Sequence, residues 1–374
     1  MRRTGHIRER SAGHFELRYQ ADGKTRTVTF RGGAKDAKTE LRRLLRQVDM
    51  GEHADVGNKL TVGTWLTQWL SSVQETLAPQ SHDRYGETIK NHLIPGLGDI
   101  PLAKLAESHI TKFYASLERK DGKGAMAPRT RRQLHRVLSS ALRRAVEDRM
   151  IARNPADTFR KRLPKVEKGE MKVLTPEQSR QLLDAVRDTP LYTPVLLALA
   201  TGARRGECLA LRWRNVDLDN GTVLIAESLE QRRGVPIRSK APKGEKQRSV
   251  ALPAFAVDAL RSLKLRQTEQ MFALGARVDG DTLVCMRRDG RAPSPASVTS
   301  TFTRLVARLP GMPAIHFHSL RHSHATALLQ AGVHPKVAQE RLGHASVAIT
   351  LDLYSHVSSD MDKDAADRLD RAFQ

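Results

Sequence analysis

The sequence predicts a multidomain, mainly α-helical protein. Its 374 residues exceed one typical domain, since domains contain roughly 100–200 residues. Apolar residues make up 39% of the chain, which is enough to build ordinary hydrophobic cores. Polar stretches at 52–58 and 154–172 interrupt the hydrophobic periodicity. We therefore predict a three-stranded sheet plus helix at 1–58, a helical domain at 59–153, a linker at 154–172 and an α+β domain at 173–374.

The first domain shows the alternation of apolar and polar residues that is typical of half-buried strands. The alternation covers 15–19, stops at the turn signal Asp22-Gly23 and resumes over 25–30, and helical spacing follows over 34–50. A sheet backed by one helix leaves one face open, and that face suits a groove of DNA. A small interaction module with a solvated face is the alternative. The arginines that we expect on the open face are Arg8, Arg10, Arg18 and Arg26.

The second domain is predicted to be all helical. An apolar stripe begins at Trp65, and Pro128 suits the first turn of a long helix. The leucines of that helix fall on one side and predict packing, whereas its arginines fall largely elsewhere and favour contact with phosphates. A merely solvated face is the alternative. These arginines are Arg131, Arg132, Arg136, Arg143 and Arg144.

The last domain is predicted to mix helices with a few short strands. A capping box at Thr175, followed by proline at the first helical position, marks the start of a helix. Apolar periodicity predicts the further helices, and alternation predicts the strands. The helices are expected at 191–201, 254–268, 296–308, 319–331 and 335–342, and the strands at 222–226 and 247–252.

The charge of the chain predicts a polyanionic partner. The net charge is +22 with a pI near 10.5, and the excess of basic residues is spread over every domain. A chain this basic usually binds nucleic acid along its length. An arginine-rich composition that serves solubility is the alternative. Aromatic residues make up only 5%, which argues against binding single strands by serial stacking of bases.

Cysteine content and hydropathy exclude other classes of protein. Two cysteines, Cys208 and Cys285, cannot form a disulfide framework or a cysteine-based zinc site, and they fit a reducing compartment. The first twenty residues contain no apolar core of a signal peptide. No apolar run reaches the ~20 residues of a membrane span. We therefore set aside secreted and membrane-bound functions.

Four short motifs stand out in the last domain. They are TGARRGE at 201–207, PKGEKQR at 242–248, HSLRH at 318–322, and LGH at 342–344 followed by ITLDLYSHV at 349–357. Each is weak when taken alone. The pair His318 and His322 has the spacing of a zinc pair on a helix, but no glutamate lies between them and no cysteine is nearby, so we predict no metal site.

In this order and spacing, the motifs are specific. The sequence resembles the tyrosine recombinase (phage-type integrase) family over 170–360. Residues 59–153 resemble the helical core-binding domain of that family, and residues 6–50 resemble its arm-binding domain. The resemblance implies an α+β catalytic domain of the tyrosine recombinase type at 173–374.

The resemblance also implies the catalytic residues. Glu207 is a supporting residue that orients an arginine. The two arginines would hold the phosphate, and Lys243 would protonate the leaving oxygen. Either His318 or His344 would accept the proton of the nucleophile, and His318 is the preferred acceptor. The implied catalytic set is Arg204, Lys243, His318, Arg321, His344 and the nucleophile Tyr354.

The implied reaction is transesterification of DNA through a 3′-phosphotyrosyl bond, which needs no cofactor and no metal. The implied partners are double-stranded DNA, at core and arm-type sites, and three further copies of the chain in a synaptic tetramer. DNA-bending and directionality factors would assist, and a bacterial cytoplasmic, nucleoid-associated location follows. A C-terminal helix at 361–373 would pack on a neighbouring protomer or on its own domain. The alternatives are a chromosome-dimer resolvase, a type IB topoisomerase, a non-catalytic DNA-binding regulator and a metal-dependent nuclease.

Overall fold

The chain is divided into two compact units, residues 1–168 and 169–374. The computed structural model describes residues 5–21, 24–49, 60–117, 124–166, 169, 171–232, 234–240, 247–344, 346–354, 370 and 373. The division lies inside the predicted linker at 154–172. The finer domain limits remain predictions.

The first unit begins with an antiparallel three-stranded sheet. Its strands are β1 (His6–Ser11), β2 (His14–Ala21) and β3 (Lys24–Arg31), in that order. Helix α1 (Ala34–Asp49) packs on one face, where apolar residues of β2 such as Leu17 meet apolar residues of α1. The predicted sheet plus helix is therefore confirmed, while the predicted turn at 22–23 lies outside the described residues.

The register of the sheet decides which arginines reach the open face. Arg8 lies opposite Glu16 on the neighbouring strand, so these two residues share the face that α1 leaves open. Arg26 instead lies opposite Tyr19, whose ring is buried in the core. The expectation that Arg26 lies on the open face is therefore wrong. Side chains alternate between the faces of a strand, so a difference of one position reverses the face.

A buried carboxylate stands at the centre of the open face. Glu16 is only 7% exposed and accepts hydrogen bonds from Arg10 Nε at 2.6 Å and from Arg18 Nε at 2.5 Å. These bonds, with that of Arg10 the stronger influence, lower the pKa of Glu16. The open face therefore presents Arg10 and Arg18 in fixed positions on either side of one carboxylate.

The rest of the first unit is helical, as predicted. Trp65 Nε1 donates to the carbonyl oxygen of Ala141 at 2.9 Å, which ties the first of these helices to the last inside a buried core. A π-helical turn at Ile89–Leu93 joins two of the helices. The helices are α2 (Val62–Ser72), α3 (Pro79–Thr88), α4 (Ile94–Leu97), α5 (Glu107–Ala115) and α6 (Pro128–Glu147).

Helix α6 buries its leucines and exposes most of its arginines. Arg131 is half-buried and donates from Nη2 to the Leu117 carbonyl oxygen at 3.2 Å. Arg144 pairs at 3.1 Å with Asp148, the residue that follows the helix. The exposed arginines of this helix are Arg129, Arg132, Arg136, Arg143 and Arg144.

The second unit surrounds one large core with helices and two small sheets. The capping box is present, because Gln178 N donates to Thr175 Oγ1 at 3.2 Å and Thr175 N donates to Gln178 Oε1 at 3.0 Å. Strands β4, β5 and β8 form one antiparallel sheet, and β6 and β7 form a separate hairpin. The strands are β4 (Val216–Asp217), β5 (Thr222–Ile225), β6 (Ser228–Glu230), β7 (Arg238–Lys240) and β8 (Arg248–Ala251).

The helices of the second unit follow the predicted order, with two additions that the periodicity did not predict. The additions are the short helix at Arg205–Ala210 and the helix that carries Tyr354. The helices are α7 (Pro176–Val186), α8 (Tyr192–Thr201), α9 (Arg205–Ala210), α10 (Ala254–Ala273), α11 (Pro295–Val306), α12 (Phe317–Gln330), α13 (Pro335–Leu342) and α14 (Val347–Tyr354).

Both cysteines lie in the core of the second unit. Cys208 on α9 and Cys285 after α10 are free thiols and almost inaccessible to solvent. Burial raises the pKa of each thiol well above its ordinary value. Within the described part of the chain, no helix is both long enough and apolar enough to span a membrane.

Candidate active site

The first motif forms a tight turn between α8 and α9. Gly202 ends α8 with a left-handed backbone at φ 67°, which favours glycine. A methyl group on Gly202 would lie 2.6 Å from side-chain atoms of both His324 and Leu342. The turn therefore needs glycine for its conformation and for its space, and it places Arg204 at the start of α9.

Glu207 is the buried carboxylate that holds Arg204. Its Oε2 accepts from the Arg204 backbone N–H at 2.9 Å, and its Oε1 accepts from Arg204 Nη1 at 3.0 Å. Arg248 Nη2 donates to the same carboxylate at 2.6 Å. Burial alone would raise the pKa of Glu207, but the hydrogen bonds and charges of Arg248 and Arg204 outweigh burial and lower it. The carboxylate is therefore ionised and fixes the guanidinium of Arg204, whose side chain remains 35% exposed.

The arginine of the HSLRH motif, Arg321, reaches the same turn from α12. Arg321 is only 2% exposed, and its Nη1 donates to the carbonyl oxygen of Gly202 at 2.8 Å. Both motif arginines are therefore anchored at the turn between α8 and α9, although they come from distant parts of the chain. Two guanidinium groups in one place form a strongly positive site that suits a phosphate.

His318 begins the same turn of α12 as Arg321. Its ring lies edge-on to that of His322, with 4.8 Å between the ring centroids. The surrounding protein shields part of the His318 ring from water, while the rest of the side chain stays exposed. This desolvation disfavours the charged imidazolium and is the largest of the causes that lower the pKa of His318 to about 4. The positive charges of His322, Arg321 and Arg204 lower the pKa further. The imidazole is therefore neutral at pH 7.

His344 lies on the other side of the site, after α13. Its Nδ1 is 2.9 Å from Thr350 Oγ1 on α14, and Arg204 Nη2 donates to the neighbouring Gly343 carbonyl oxygen at 3.4 Å. Desolvation and then the charges of Arg321 and Arg204 lower the pKa of His344 to about 4. The site therefore holds two neutral histidines beside two cationic arginines.

Of the two remaining predicted residues, Tyr354 and Lys243, only Tyr354 is among the described residues. Tyr354 is the last residue of α14, one helical turn beyond Thr350, and α14 packs against α12 and α13. The backbone thus brings the helix of Tyr354 to the elements that carry His318, Arg321 and His344. Lys243 falls at 241–246, outside the described residues.

Arg248 is a residue of this site that sequence reasoning did not single out. Besides Glu207, it binds the Arg341 carbonyl oxygen through Nε at 3.0 Å, and its guanidinium packs against Gly343. Its side chain is 9% exposed. No signal in the sequence marks it, because an arginine that opens an alternating strand is normally exposed to solvent. Arg248 links the first, second and last motifs.

A second network of hydrogen bonds, made by Arg341 and His324, holds the end of α8 that leads into the turn. Arg341 on α13 donates to the carbonyl oxygens of Ala200 at 2.9 Å and Ala251 at 2.8 Å, and its Nε donates to His324 Nε2 at 3.2 Å. His324 Nδ1 lies 2.7 Å from the Leu199 carbonyl oxygen. One nitrogen of His324 therefore donates and the other accepts, so the ring is neutral, and α8 is joined to α12, α13 and β8.

Carboxylates, histidines and cysteines do not gather into a metal centre in the parts of the chain that the structure describes, since no three of them are arranged to hold an ion. The positive charges described at the site belong to guanidinium groups, and the carboxylate of Glu207 holds that of Arg204. The arrangement is suited to binding a phosphodiester between two arginines with neutral histidines at its sides.

Comparison with sequence families gives two matches. Residues 172–361 match the phage integrase family, and residues 61–117 match the N-terminal SAM-like domain of phage integrases. The first match covers about half of the chain and contains all four motifs.

Curated relatives align over most of the chain. A tyrosine recombinase XerC-like protein of Caldanaerobacter subterraneus subsp. tengcongensis is 24% identical over 358 residues, which are 91% of this chain and 90% of the relative. The ICEBs1 integrase of Bacillus subtilis is 27% identical over 333 residues, which are 88% of each protein.

Solved structures share the fold. The Tn1549 transposon integrase in complex with a circular intermediate DNA has a TM-score of 0.68 at 21% identity, over 83% of this chain and 100% of that chain. A lambda integrase tetramer bound to a Holliday junction has a TM-score of 0.57 at 19% identity, over 91% of this chain and 95% of that chain. These similarities confirm the predicted fold class. Together with the family match, they lead to one conclusion: the chain belongs to the phage integrase family, the tyrosine recombinases, which cleave and rejoin DNA.

Proposed function

We propose that this recombinase integrates or excises a mobile element by cutting and rejoining two DNA sites through Tyr354. The phenol oxygen attacks the scissile phosphorus, the bond from phosphorus to the 5′-oxygen breaks, and a 3′-phosphotyrosyl bond forms. The number of ester bonds is unchanged, so the bond energy is kept for rejoining. The observation that carries this proposal is the anchoring of Arg204 and Arg321 at one turn, beside two neutral histidines.

Arg204 and Arg321 are proposed to hold the two non-bridging oxygens of the phosphate. Their guanidinium groups remain charged at any relevant pH and present planar forks of donors. The ionised Glu207 fixes the direction of Arg204 before DNA arrives, and that preorganisation is what makes such a clamp effective. By analogy with the donors of an oxyanion hole, loss of either arginine would slow cleavage about 10²–10³-fold.

His318 is proposed to accept the proton of Tyr354, and His344 to donate a hydrogen bond to the phosphate. A free tyrosine has a pKa near ~10 and is a poor nucleophile at neutral pH. The low pKa values of both histidines support these roles, because a neutral imidazole has a nitrogen that can take a proton and another that can donate one.

Lys243 is proposed to give its proton to the departing 5′-oxygen. An ammonium group acts as a general acid when neighbouring cations lower its pKa. Arg238, Lys240 and Arg248 flank the segment at 241–246, so the sequence around Lys243 is rich in positive charge.

A nicked suicide substrate tests the reaction. A duplex that carries the attachment sequence, identified in the DNA flanking the gene, releases a short strand after cleavage and traps the covalent intermediate. We expect adducts that resist EDTA and disappear with Tyr354→Phe. Adducts that need a divalent cation would favour a metal-dependent nuclease, adducts at random sequence would favour a topoisomerase, and binding without any adduct would favour a regulator.

The proposed partner is double-stranded DNA, bound at core-type sites by the two larger domains and at arm-type sites by the open sheet face. A synaptic homo-tetramer, with DNA-bending and directionality factors, completes the proposal. The relatives support it, since the Tn1549 integrase was solved with DNA and lambda integrase as a tetramer on a Holliday junction. The proposed contact of 361–373 with a neighbour lies almost wholly outside the described residues.

A chromosome-dimer resolvase is the second candidate, because one relative is named XerC-like. The sheet domain at the N-terminus favours the integrase, since it presents an additional basic surface.

A further inference from the structure

The open face of the N-terminal sheet carries one acidic residue among arginines and threonines. The register places Glu16 on this face, with arginines of β1 and β2 and three threonines of β3 around it. The other acidic residue of the three strands is Glu9, which lies opposite Phe15 and so belongs to the face that α1 covers. A carboxylate repels the phosphates of DNA. Its place at the centre of a face proposed to bind DNA therefore indicates a different role from that of the arginines.

Glu16 holds two arginines by one side of each guanidinium. Its Oε2 accepts from Arg10 Nε, and its Oε1 accepts from Arg18 Nε. The side chains of Arg10 and Arg18 are nevertheless 56% and 50% exposed. A guanidinium has further donors on Nη1 and Nη2, and this edge of the planar group can bind two acceptors at once. Each arginine is therefore fixed at Nε, while about half of its surface is open to a ligand.

A β-bulge brings Arg10 to the carboxylate. The register shifts between Glu9 and Ser11, so β1 has one residue more than β2 over the same stretch, and that residue is Arg10. Bulges bend a strand and change the direction of a side chain, and they are common beside functional sites. Arg8 lies directly opposite Glu16 in the ladder, yet Glu16 accepts its hydrogen bond on β1 from Arg10, two positions further along. The irregularity of the strand thus selects which arginine is held.

Two guanidinium groups that are fixed beside each other suit two guanines in the major groove. Guanine presents the acceptors O6 and N7 there, and an arginine that binds both is the commonest specific contact to a base. An arginine that is already oriented loses less freedom on binding. The shared carboxylate keeps Arg10 and Arg18 close together, so the guanines that they contact would be at most a few base pairs apart.

We infer that Arg10 and Arg18 determine sequence specificity, each by binding one guanine of the arm-type site through O6 and N7, and that Glu16 is the positioning residue that aims them. This inference rests on the proposed binding of DNA by the open sheet face. It deepens that proposal, because it names the base that is recognised and separates recognition from the phosphate contact expected of Arg8.

The probe is DNA that flanks the gene. Footprinting with the full chain locates the protected segments that lie outside the cleavage point, and each segment is prepared as a short duplex. Fluorescence anisotropy then measures the affinity of each duplex, with the guanines replaced one at a time by 7-deazaguanine. This analogue keeps O6 and has carbon in place of N7, so it removes one of the two acceptors. We expect wild type to bind about 5–10-fold more weakly when either of two guanines is replaced.

The variants separate recognition from positioning. Arg10→Gln should abolish the effect of the analogue at one of the two guanines, and Arg18→Gln should abolish it at the other. Glu16→Gln keeps both arginines and removes a negative charge, so the affinity for duplexes of random sequence should not fall. The effect of the analogue should nevertheless shrink to within about twofold at both guanines. Glu16→Asp keeps the charge but is one methylene shorter, and it should also reduce both effects, which covers the case that Glu16→Gln does not fold.

Two control variants test charge without orientation. Arg8→Gln should weaken binding to all duplexes alike and reduce the slope of log affinity against log salt concentration by about 0.9, while both effects of the analogue persist. Glu9→Gln changes the net charge as much as Glu16→Gln does, but on the face that α1 covers, and should leave both effects unchanged.

The failures are distinguishable. If two guanines are sensitive to the analogue and remain equally sensitive in Glu16→Gln and Glu16→Asp, the positioning role is overturned while the proposed function stands. The same conclusion follows if no guanine is sensitive, or if the sensitivity survives loss of both arginines. If the full chain protects no segment outside the cleavage point, the proposed arm-type binding fails and the inference fails with it. Adduct formation on the core-site suicide substrate tests the cleavage reaction separately.

Discussion

The buried carboxylate of Glu207 binds the guanidinium groups of both Arg204 and Arg248, so Glu207 is important for both stability and cleavage. Arg248 is nearly buried and loses its closest opposite charge when that carboxylate is removed. We predict that Glu207→Gln lowers the free energy of unfolding by about 3–5 kcal/mol, measured by urea denaturation at pH 7. Glu177→Gln, which removes an exposed carboxylate paired with Arg180, is the matched control and should cost far less stability, because water screens the exposed pair.

The difference in the free energy of unfolding between wild type and Glu207→Gln should depend on pH in a defined direction. Because the pKa of Glu207 is lowered by folding, its contribution is fully present above the ordinary value of 4.5 and disappears as the pH falls through the lowered pKa. The stability gap between wild type and Glu207→Gln should therefore be widest near neutral pH and close below pH 4.5. A gap that widens in acid would contradict the ion-pair account.

The two motif histidines predict an acid-tolerant cleavage step. A proton acceptor must be neutral, and the pKa of His318 is lowered to about 4. We expect the single-turnover rate of adduct formation to stay level from pH 8 to about pH 5.5 and to fall only as the pH approaches 4. DNA binding is measured in parallel, so that loss of binding is not mistaken for loss of chemistry. A tenfold decline per pH unit that begins near 6.5 would mean that the acceptor has an ordinary histidine pKa.

At the residue level, the sequence predicted which residues lie together better than it predicted the orientation of side chains. Arg204, His318, Arg321 and His344 meet in one place, as the motifs imply. Arg26 was assigned to the wrong face, because the direction of a side chain depends on a register that turns and bulges set. Arg248 was missed because a charged residue in a strand is usually exposed, and only the partners that lie far away in the chain explain its burial.

Among the elements, the turn that joins α8 to α9 is sensitive to substitution. Gly202→Ala combines a left-handed backbone with a clash against His324 and Leu342. We predict a loss of more than about 2 kcal/mol in the free energy of unfolding, together with loss of cleavage because both arginines are anchored here. Gly275→Ala shares the left-handed backbone, at φ 71°, but has no neighbour within 4 Å. An equal loss in both variants would show that space around Gly202 does not matter.

Helix α6 offers a test of phosphate contacts. Arg136 and Arg143 are exposed and were predicted to bind the DNA backbone. Binding of DNA releases about 0.9 counterions for each phosphate neutralised. Arg136→Gln combined with Arg143→Gln should therefore reduce the slope of log affinity against log salt concentration by about 1.8, measured by fluorescence anisotropy. Arg180→Gln with Arg187→Gln removes the same charge from α7 and from the residue that follows it. Both arginines are exposed and paired with acids, so the slope should be unchanged.

Elements with strong local signals were predictable from the sequence. The capping box at Thr175 and the proline that opens α6 each mark a helix start that the structure contains. The β6–β7 hairpin was not predicted, because its strands have three residues each and carry mostly polar or charged side chains, so no periodicity stands out. Helix α14 was not predicted for a related reason, since it is short and apolar on several sides and its packing against α12 and α13 defines it.

On the scale of the whole molecule, the open sheet face separates an integrase from a resolvase. We predict that Arg8→Gln combined with Arg18→Gln leaves adduct formation on a core-site suicide substrate unchanged, but reduces recombination between plasmids that carry complete attachment sites at least about tenfold, because a distant arm-type element is no longer held. Arg42→Gln with Arg46→Gln on α1, which covers the other face, is the control of equal charge. Undiminished recombination by the sheet variant would favour the resolvase.

The two buried thiols make the protein convenient for fluorescence work. Maleimide dyes react with thiolates, and burial together with a raised pKa keeps Cys208 and Cys285 from reacting. A native background of this kind needs no cysteine-free variant. Cysteines introduced at the exposed positions Gln68 and Ser300 would accept a donor and an acceptor dye, one in each compact unit. Energy transfer between them would report in real time any change in the distance between the two dyes as a single duplex is captured, cut and released.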